Sequence, residues 1–202
     1  MDYFMNRFSV ILGRKAEKYE KCPYCPGNEE ISGPADLVLV SKKGALTKKS
    51  DEDGEYVRDW STRAFRCRNP ISDPNPPQTY SDYPHYMEPS YGYHYVVVAT
   101  PKHAVGFHEM ELEQWENALM AVQSMVKWLY GKKGVSYVGV FANYGRKLGV
   151  EHAHFDLVTF PRIPPRIEEE VKAIQRYRKE SGRCLMCKVL SIEGDGPRQV
   201  LT

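Results

Sequence analysis

The sequence predicts an α+β domain, an antiparallel β-sheet crossed by one long α-helix. Three observations predict it. Strand-forming runs recur at 36–41 ("DLVLVS"), 61–67 ("STRAFRC"), 93–100 ("YHYVVVAT"), 135–143 ("VSYVGVFAN") and 152–160 ("HAHFDLVTF"). Between the third and fourth runs, Leu112, Trp115, Leu119, Val122, Val126 and Leu129 have the spacing of one buried helical stripe, over 109–130. Only 144–151 joins the last two runs, a length that suits a hairpin and so an antiparallel pair.

Taken in order, 8–12 ("FSVIL") reads as a short strand, and 13–34, with "KCPYCPGNE", as a loop or knuckle. After the strand at 36–41, 42–56 ("KKGALTKKSDEDGEY") reads as a polar hairpin or loop. The segment 69–92 carries six prolines and no helical period, so it is irregular. A loop of that length in a compact domain is usually functional or disordered, and its tyrosines argue against disorder. Tyr80, Tyr83, Tyr86, Tyr91 and Tyr93 either pack half-exposed or help build a pocket or a dimer contact. Gly131 stops the long helix. Pro164 and Pro165 break the chain, and 166–180 carries Ile167, Val171 and Ile174 on a charged helix. The expected division is a domain over 1–165 and a C-terminal helix and tail over 166–202.

A chain of 202 residues fits one generous domain, or one domain plus a fragment, and needs no disulfide to hold a core. A net charge of +2 without a basic stripe argues against nucleic acid as a partner. No apolar run approaches the roughly 18 residues of a membrane span. The start, "MDYFMNRFSVILGRK", is unlike a signal peptide, so the expected location is cytoplasmic. Four of the five cysteines form two C-x-x-C pairs, Cys22 with Cys25 and Cys184 with Cys187. In a reducing compartment that pattern favours metal or redox chemistry.

The turn in "CPYC" lets two thiolates reach one metal, the usual zinc half-site. The alternative is a loop with two buried thiols. His103 follows a strand directly and His152 opens another, so a Cys22, Cys25, His103 and His152 set would tie the N-terminal segment to two central strands. An ordinary surface role for His103 stays open. On a strand, His152, His154 and Asp156 share one face. A neutral imidazole is a good nucleophile toward phosphorus, provided a hydrogen bond fixes its tautomer. Just before it, Gly145 and Gly149 allow close backbone approach to a phosphate, and Arg146 and Lys147 can neutralise its charge.

Four segments together resemble the galactose-1-phosphate uridylyltransferase family, the transferase branch of the histidine-triad superfamily. "CPYCPGNE" (22–29) resembles its zinc knuckle, and "WSTRAFRCRNP" (60–70) its nucleotide-binding strand W-x-x-R-V-F-x-N-x-F-P. "GYHYVVVATPKH" (92–103) resembles G-x-H-E-V-x-V-x-T-P-x-H. "FANYGRKLGVEHAHFD" (141–156) resembles the family's segment ending H-P-H-x-Q. The resemblance implies a HIT-like sheet and zinc held by Cys22, Cys25, His103 and His152. It implies that His154 is the histidine that becomes uridylylated, with Asn143 and Gly145 touching the nucleotide phosphates. Asp156 stands at the family's glutamine, which donates to a phosphoryl oxygen. Cys67 stands at the nucleotide-binding asparagine, with Asn69 two residues later. The implied reaction moves UMP from UDP-glucose to galactose 1-phosphate in a homodimer. ADP-sugar or diadenosine tetraphosphate phosphorylases suit the same segments. The contrasting reading is a non-catalytic zinc module that binds nucleotide. The tail resembles the start of the family's second half, and Cys184 and Cys187 are free thiols or an intersubunit site.

Overall fold

The computed structural model describes residues 9–10, 19–42, 44–52, 54–79, 87–103, 106–143, 150–194 and 196. The chain divides into two compact units, one of residues 10–162 and one of residues 1–9 with 163–202. The larger unit is α+β. Its strands are β1 (Ala35–Lys42), β2 (Ala45–Lys49), β3 (Thr62–Arg66), β4 (His94–Val98), β5 (Tyr137–Phe141) and β6 (His154–Phe160). They form one six-stranded sheet in the order β2-β1-β3-β4-β6-β5. Every neighbouring pair is antiparallel. The long helix α2 (Leu112–Tyr130) leads from β4 to β5, which run the same way on either side of β6. A parallel pair needs such a crossover, because no hairpin can return the chain in the same direction. A single helical turn, α1 (Glu29–Ser32), follows the knuckle.

Helix α2 covers one face of the sheet. Ala118, Ala121, Met125 and Leu129 turn inward, and the last three pack on Leu39, Ala64, Tyr95, Val97, Val138 and Leu157. Each large side chain so buried contributes about 1.5–3 kcal/mol. The expected stripe is therefore rotated. Leu112 and Leu119 are 74% and 53% exposed, and of the six only Leu129 is fully buried. Alanines at the contact let the helix lie close to the sheet, and the bulkier residues flank it.

The opposite face is layered by Ala35, Val38, Val40, Trp60, Phe65, Val96 and Val98, with Tyr24 of the knuckle packed against them. The polar stretch 42–56, expected as a hairpin or loop, holds the turn and return strand of a hairpin, β2, whose register with β1 runs from Val38↔Lys49 to Lys42↔Ala45. One further expectation changes. His152 precedes β6 rather than opening it, since the ladder starts at His154. Of the expected strand at 8–12, only 9–10 are described and they are not strand.

In the smaller unit, α3 (Pro165–Ser181) begins on a proline, which lacks only an N–H that no helix would use there. It ends at Gly182, whose left-handed backbone (φ 70°) lets its N–H cap the Arg178 carbonyl. Helix α4 (Leu185–Glu193), not anticipated from sequence, follows directly, with Cys184 as its N-cap and both Cys184 and Cys187 exposed.

Candidate active site and metal centre

The register of β4 and β6 builds the centre. Val98 pairs with His154, so the chain leaving β4 and the chain entering β6 run side by side. The Ala99 N–H donates to the Ala153 carbonyl at 2.9 Å and extends that contact past the strands. His103 and His152 thus meet, and the knuckle closes over them. Cys22 Sγ lies 3.5 Å and Cys25 Sγ 3.7 Å from His152 Nδ1, and Cys25 Sγ lies 3.3 Å from His103 Nδ1. One ligand atom from each of the four residues falls within 4.8 Å of the others.

This set fits zinc. Tetrahedral bonds of about 2.3 Å to sulfur and 2.0–2.1 Å to nitrogen give sulfur–nitrogen edges of about 3.5 Å. The outer contacts fit as well. His152 Nε2 faces the Thr100 carbonyl at 2.8 Å, and a carbonyl only accepts, so Nε2 carries the proton and Nδ1 offers its lone pair. Burial is the main force holding the His152 pKa down, to about 4. Burial and the neighbouring Cys22 push the Cys25 thiol up to about 11, and a bound cation reverses that balance.

A buried carboxylate shapes the knuckle. Glu29 Oε1 accepts from Trp60 Nε1–H at 2.9 Å and Oε2 from the Gly27 N–H at 3.1 Å, while Arg58 pairs with Oε2. Burial alone would raise the Glu29 pKa, but the bonds from Trp60 and Gly27 outweigh it and hold it below the usual range. Asn28 Nδ2 donates to the Cys22 carbonyl at 2.8 Å.

His154 is the first residue of β6 and is 5% exposed, on the sheet face away from α2. Its Nδ1 lies 2.6 Å from the His152 carbonyl. The carbonyl must accept, so Nδ1 is protonated and the lone pair sits on Nε2. The Tyr24 ring packs edge-on against the imidazole, centroids 5.1 Å apart. Burial first, then the charges of Cys67 and Asp156, keep the Tyr24 hydroxyl neutral.

Asp156 lies two residues on, on the same face, and is 7% exposed. Its Oδ1 is 2.9 Å from His94 Nε2, and its Oδ2 accepts from Asn143 Nδ2 at 3.0 Å. Oδ2 is also 3.6 Å from His154 Nε2. Two influences on His94 oppose each other. Burial disfavours its cation, but hydrogen bonds to Asp156 and Cys67 outweigh burial and raise its pKa. The Ile71 N–H, 3.2 Å from Nδ1, requires a lone pair there. A backbone N–H cannot reverse its role, so in the neutral ring Nδ1 accepts, and in either state of the ring the Nε2 proton is donated to Asp156.

The structure thus brings together Cys22, Cys25, His103 and His152, and beside them His154, Asp156 and Asn143. Asn69 is half-buried in the bend beyond β3, which ends at Arg66, so strand alternation does not orient it. It precedes Ile71, which is tied to His94. Gly145 and Arg146, with Lys147 and Gly149, lie outside the described residues. Sequence reasoning missed His94, Tyr24 and Glu29. The first shares its strand face with Asp156 through the Val96↔Asp156 pair, a signal visible only once strands are paired.

Residues 68–161 match the family model of the galactose-1-phosphate uridyl transferase N-terminal domain. The chain is 28% identical to a galactose-1-phosphate uridylyltransferase of Thermotoga maritima, over 87% of this chain and 48% of that protein. It is 23% identical to an ADP-glucose phosphorylase of Arabidopsis thaliana, over 86% of this chain and 47% of that protein. Two solved structures share the fold. One is a uridylyltransferase (TM-score 0.69, 23% identity, 94% of this chain and 54% of that one). The other is an Arabidopsis thaliana ADP-glucose phosphorylase with bound ADP-glucose (TM-score 0.64, 18% identity, 88% and 52%). The chain spans about half the length of the curated relatives it matches. The matched segment, residues 68–161, runs from just past β3 through β6, so the similarity to the galactose-1-phosphate uridyl transferase N-terminal domain covers the strands that carry His94, His154 and Asp156.

Proposed function

We propose that the chain transfers a nucleotidyl group through His154, and that it moves UMP from UDP-glucose to galactose 1-phosphate. One observation carries this reading. His154 is fixed on a strand with Nδ1 bonded to the His152 carbonyl, which leaves Nε2 as an aimed lone pair. Attack by Nε2 on the α-phosphorus forms an N–P bond and breaks the P–O bond to the sugar phosphate, which leaves with the electron pair. The ring then bears a positive charge, and the Nδ1–H bond to the carbonyl strengthens as that charge develops. The acceptor phosphate reverses these events from the same side. Burial of His154 limits the access of water that would discharge the adduct. In this reading Asn143 contacts the phosphates, and Asn69, Gly145 and Arg146 complete the nucleotide site. Cys22, Cys25, His103 and His152 would hold zinc in a closed set of four ligands, where it supplies folding energy and rigidity. A homodimer in the cytoplasm belongs to the same proposal. Five free cysteines suit a reducing compartment, and no helix among the described residues is long and apolar enough to cross a membrane.

A second reading, adenylyl transfer, is favoured by the similarity to a phosphorylase that acts on ADP-glucose. Intact-protein mass spectra after incubation with UDP-glucose or ADP-glucose separate the two. A UMP adduct that His154→Ala abolishes supports the first reading, and an AMP adduct the second. No adduct from either donor overturns nucleotidyl transfer by this chain.

A further inference from the structure

Asp156 is held more firmly than a substrate contact requires. Each oxygen accepts one N–H, Oδ1 from His94 at 2.9 Å and Oδ2 from Asn143 at 3.0 Å. His94 is itself fixed from behind by the Ile71 N–H. The three side chains come from β4, from β6 and from just past β5, three neighbouring strands of the sheet. The result is a carboxylate oxygen 3.6 Å from Nε2 of His154, the atom that would attack phosphorus. That separation is too long for a hydrogen bond but close for a charge, and both side chains are at least nine-tenths buried, which weakens solvent screening.

A carboxylate here has two opposite effects. It opposes the arrival of an anionic nucleotide. It also favours any state in which the ring is positive, and the nucleotidylated ring is such a state. In forming it, Nε2 gains the N–P bond, the P–O electron pair departs with the sugar phosphate, and Nδ1 keeps its proton. The ring gains one positive charge, and no proton moves. We propose that Asp156, aimed by His94 and Asn143, acts as the electrostatic partner of His154 that stabilises the cationic nucleotidyl-histidine at the expense of donor binding. The proposal rests on the reading of His154 as nucleophile. Asp156 is the catalytic group, next to the reacting atom, and His94 and Asn143 are positioning residues.

The test uses the full zinc-loaded chain and whichever of UDP-glucose and ADP-glucose gives an adduct. Donor binding is measured by calorimetry in His154→Ala and in His154→Ala with Asp156→Asn, where no chemistry intervenes. Adduct formation is timed by quenched-flow mass spectrometry in the unaltered chain, Asp156→Asn, His94→Ala and His94→Gln. Asp156→Asn should bind donor at least as tightly and form adduct at least about tenfold more slowly. His94→Ala should reproduce the slow rate, while His94→Gln, which keeps an N–H donor, should stay within about threefold of the unaltered chain. Adduct formation within about twofold of normal in Asp156→Asn overturns the proposal and leaves the nucleophile standing. Weaker donor binding together with a lower melting temperature also overturns it, since that marks a structural role. If Asp156→Asn fails to fold, the two His94 variants decide, and equal rates in both overturn it. An unaltered chain that forms no adduct, or a His154→Ala chain that does, overturns the reading of His154 as well.

Discussion

His152 uses its ring and its backbone on different neighbours. The ring faces the two thiols and His103, while the carbonyl fixes the tautomer of His154. The candidate metal site and the proposed nucleophile are therefore linked through one residue, and damage to the first should be felt as loss of stability and only then of chemistry. Cys22→Ser leaves three ligands. The expected result is loss of the single zinc measured by metal analysis and a cost of about 3 kcal/mol, on the order of 10 °C in Tm. Zinc retained at about one per chain in that variant removes Cys22 from the ligand set. Glu29 acts one shell further out, through Gly27 and Trp60. Glu29→Gln keeps the volume but weakens the pairing with Arg58, and zinc affinity from competition with a chromogenic chelator should fall about tenfold. The pH dependence follows from burial of the His152 ring, whose pKa of about 4 is below the ordinary value. In the metal-free chain the unfolded state takes up a proton first, so the His152 ring should make Tm decline as pH falls from about 6.5 toward 4. A flat Tm across that window would show that the ring titrates normally.

At the scale of elements, what was legible in the sequence depended on local pattern. The β-branched runs at 36–41 and 93–100 declare β1 and β4, because such side chains fit a pleated, packed surface. The two thiols of the knuckle and the His152–His154 pair stood out by their spacing, while the set of Cys22, Cys25, His103 and His152 was legible only through the family resemblance. What depends on pairing was not. β2 reads as polar because it is an edge strand with one half-buried residue, Leu46, among exposed ones. The inward face of α2 was misjudged because two of its fully buried residues are alanines, small and silent in a hydrophobic stripe. His94 acquires meaning only when β4 is set against β6. The same pairing makes Gly92 critical. It precedes β4 with φ at 153°, and a Cβ there would lie 2.3 Å from the Thr159 carbonyl oxygen on β6. Backbone cannot yield as a flexible side chain can. Gly92→Ala should therefore cost about 2–4 kcal/mol by denaturant unfolding, and it should slow adduct formation by displacing His94. Unchanged stability would mean that the Gly92–Thr159 approach is not tight in solution.

At the scale of the molecule, the described candidate site residues share one unit. Cys22, Cys25, Asn69, His94, His103, Asn143, His152, His154 and Asp156 lie within residues 10–162, as do all six strands and α2. Helices α3 and α4 belong to the other unit, and no side chain of either is fully buried. A residue's contribution to folding scales with the apolar area it hides, so these helices should add little to the stability of the sheet. On α4, Met186, Val189, Leu190 and Ile192 are exposed apolar side chains. A chain ending at Arg162 should accordingly bind about one zinc, unfold in a single cooperative transition, and form the His154 adduct at a rate within about threefold of the full chain. Mass spectrometry and thermal unfolding on the shortened chain check all three. Loss of zinc or of cooperative unfolding would show that residues 163–202 support the sheet. Loss of the adduct alone, with zinc and cooperativity intact, would show that the C-terminal unit supplies part of the nucleotide site and would move the search for substrate-binding groups to that unit.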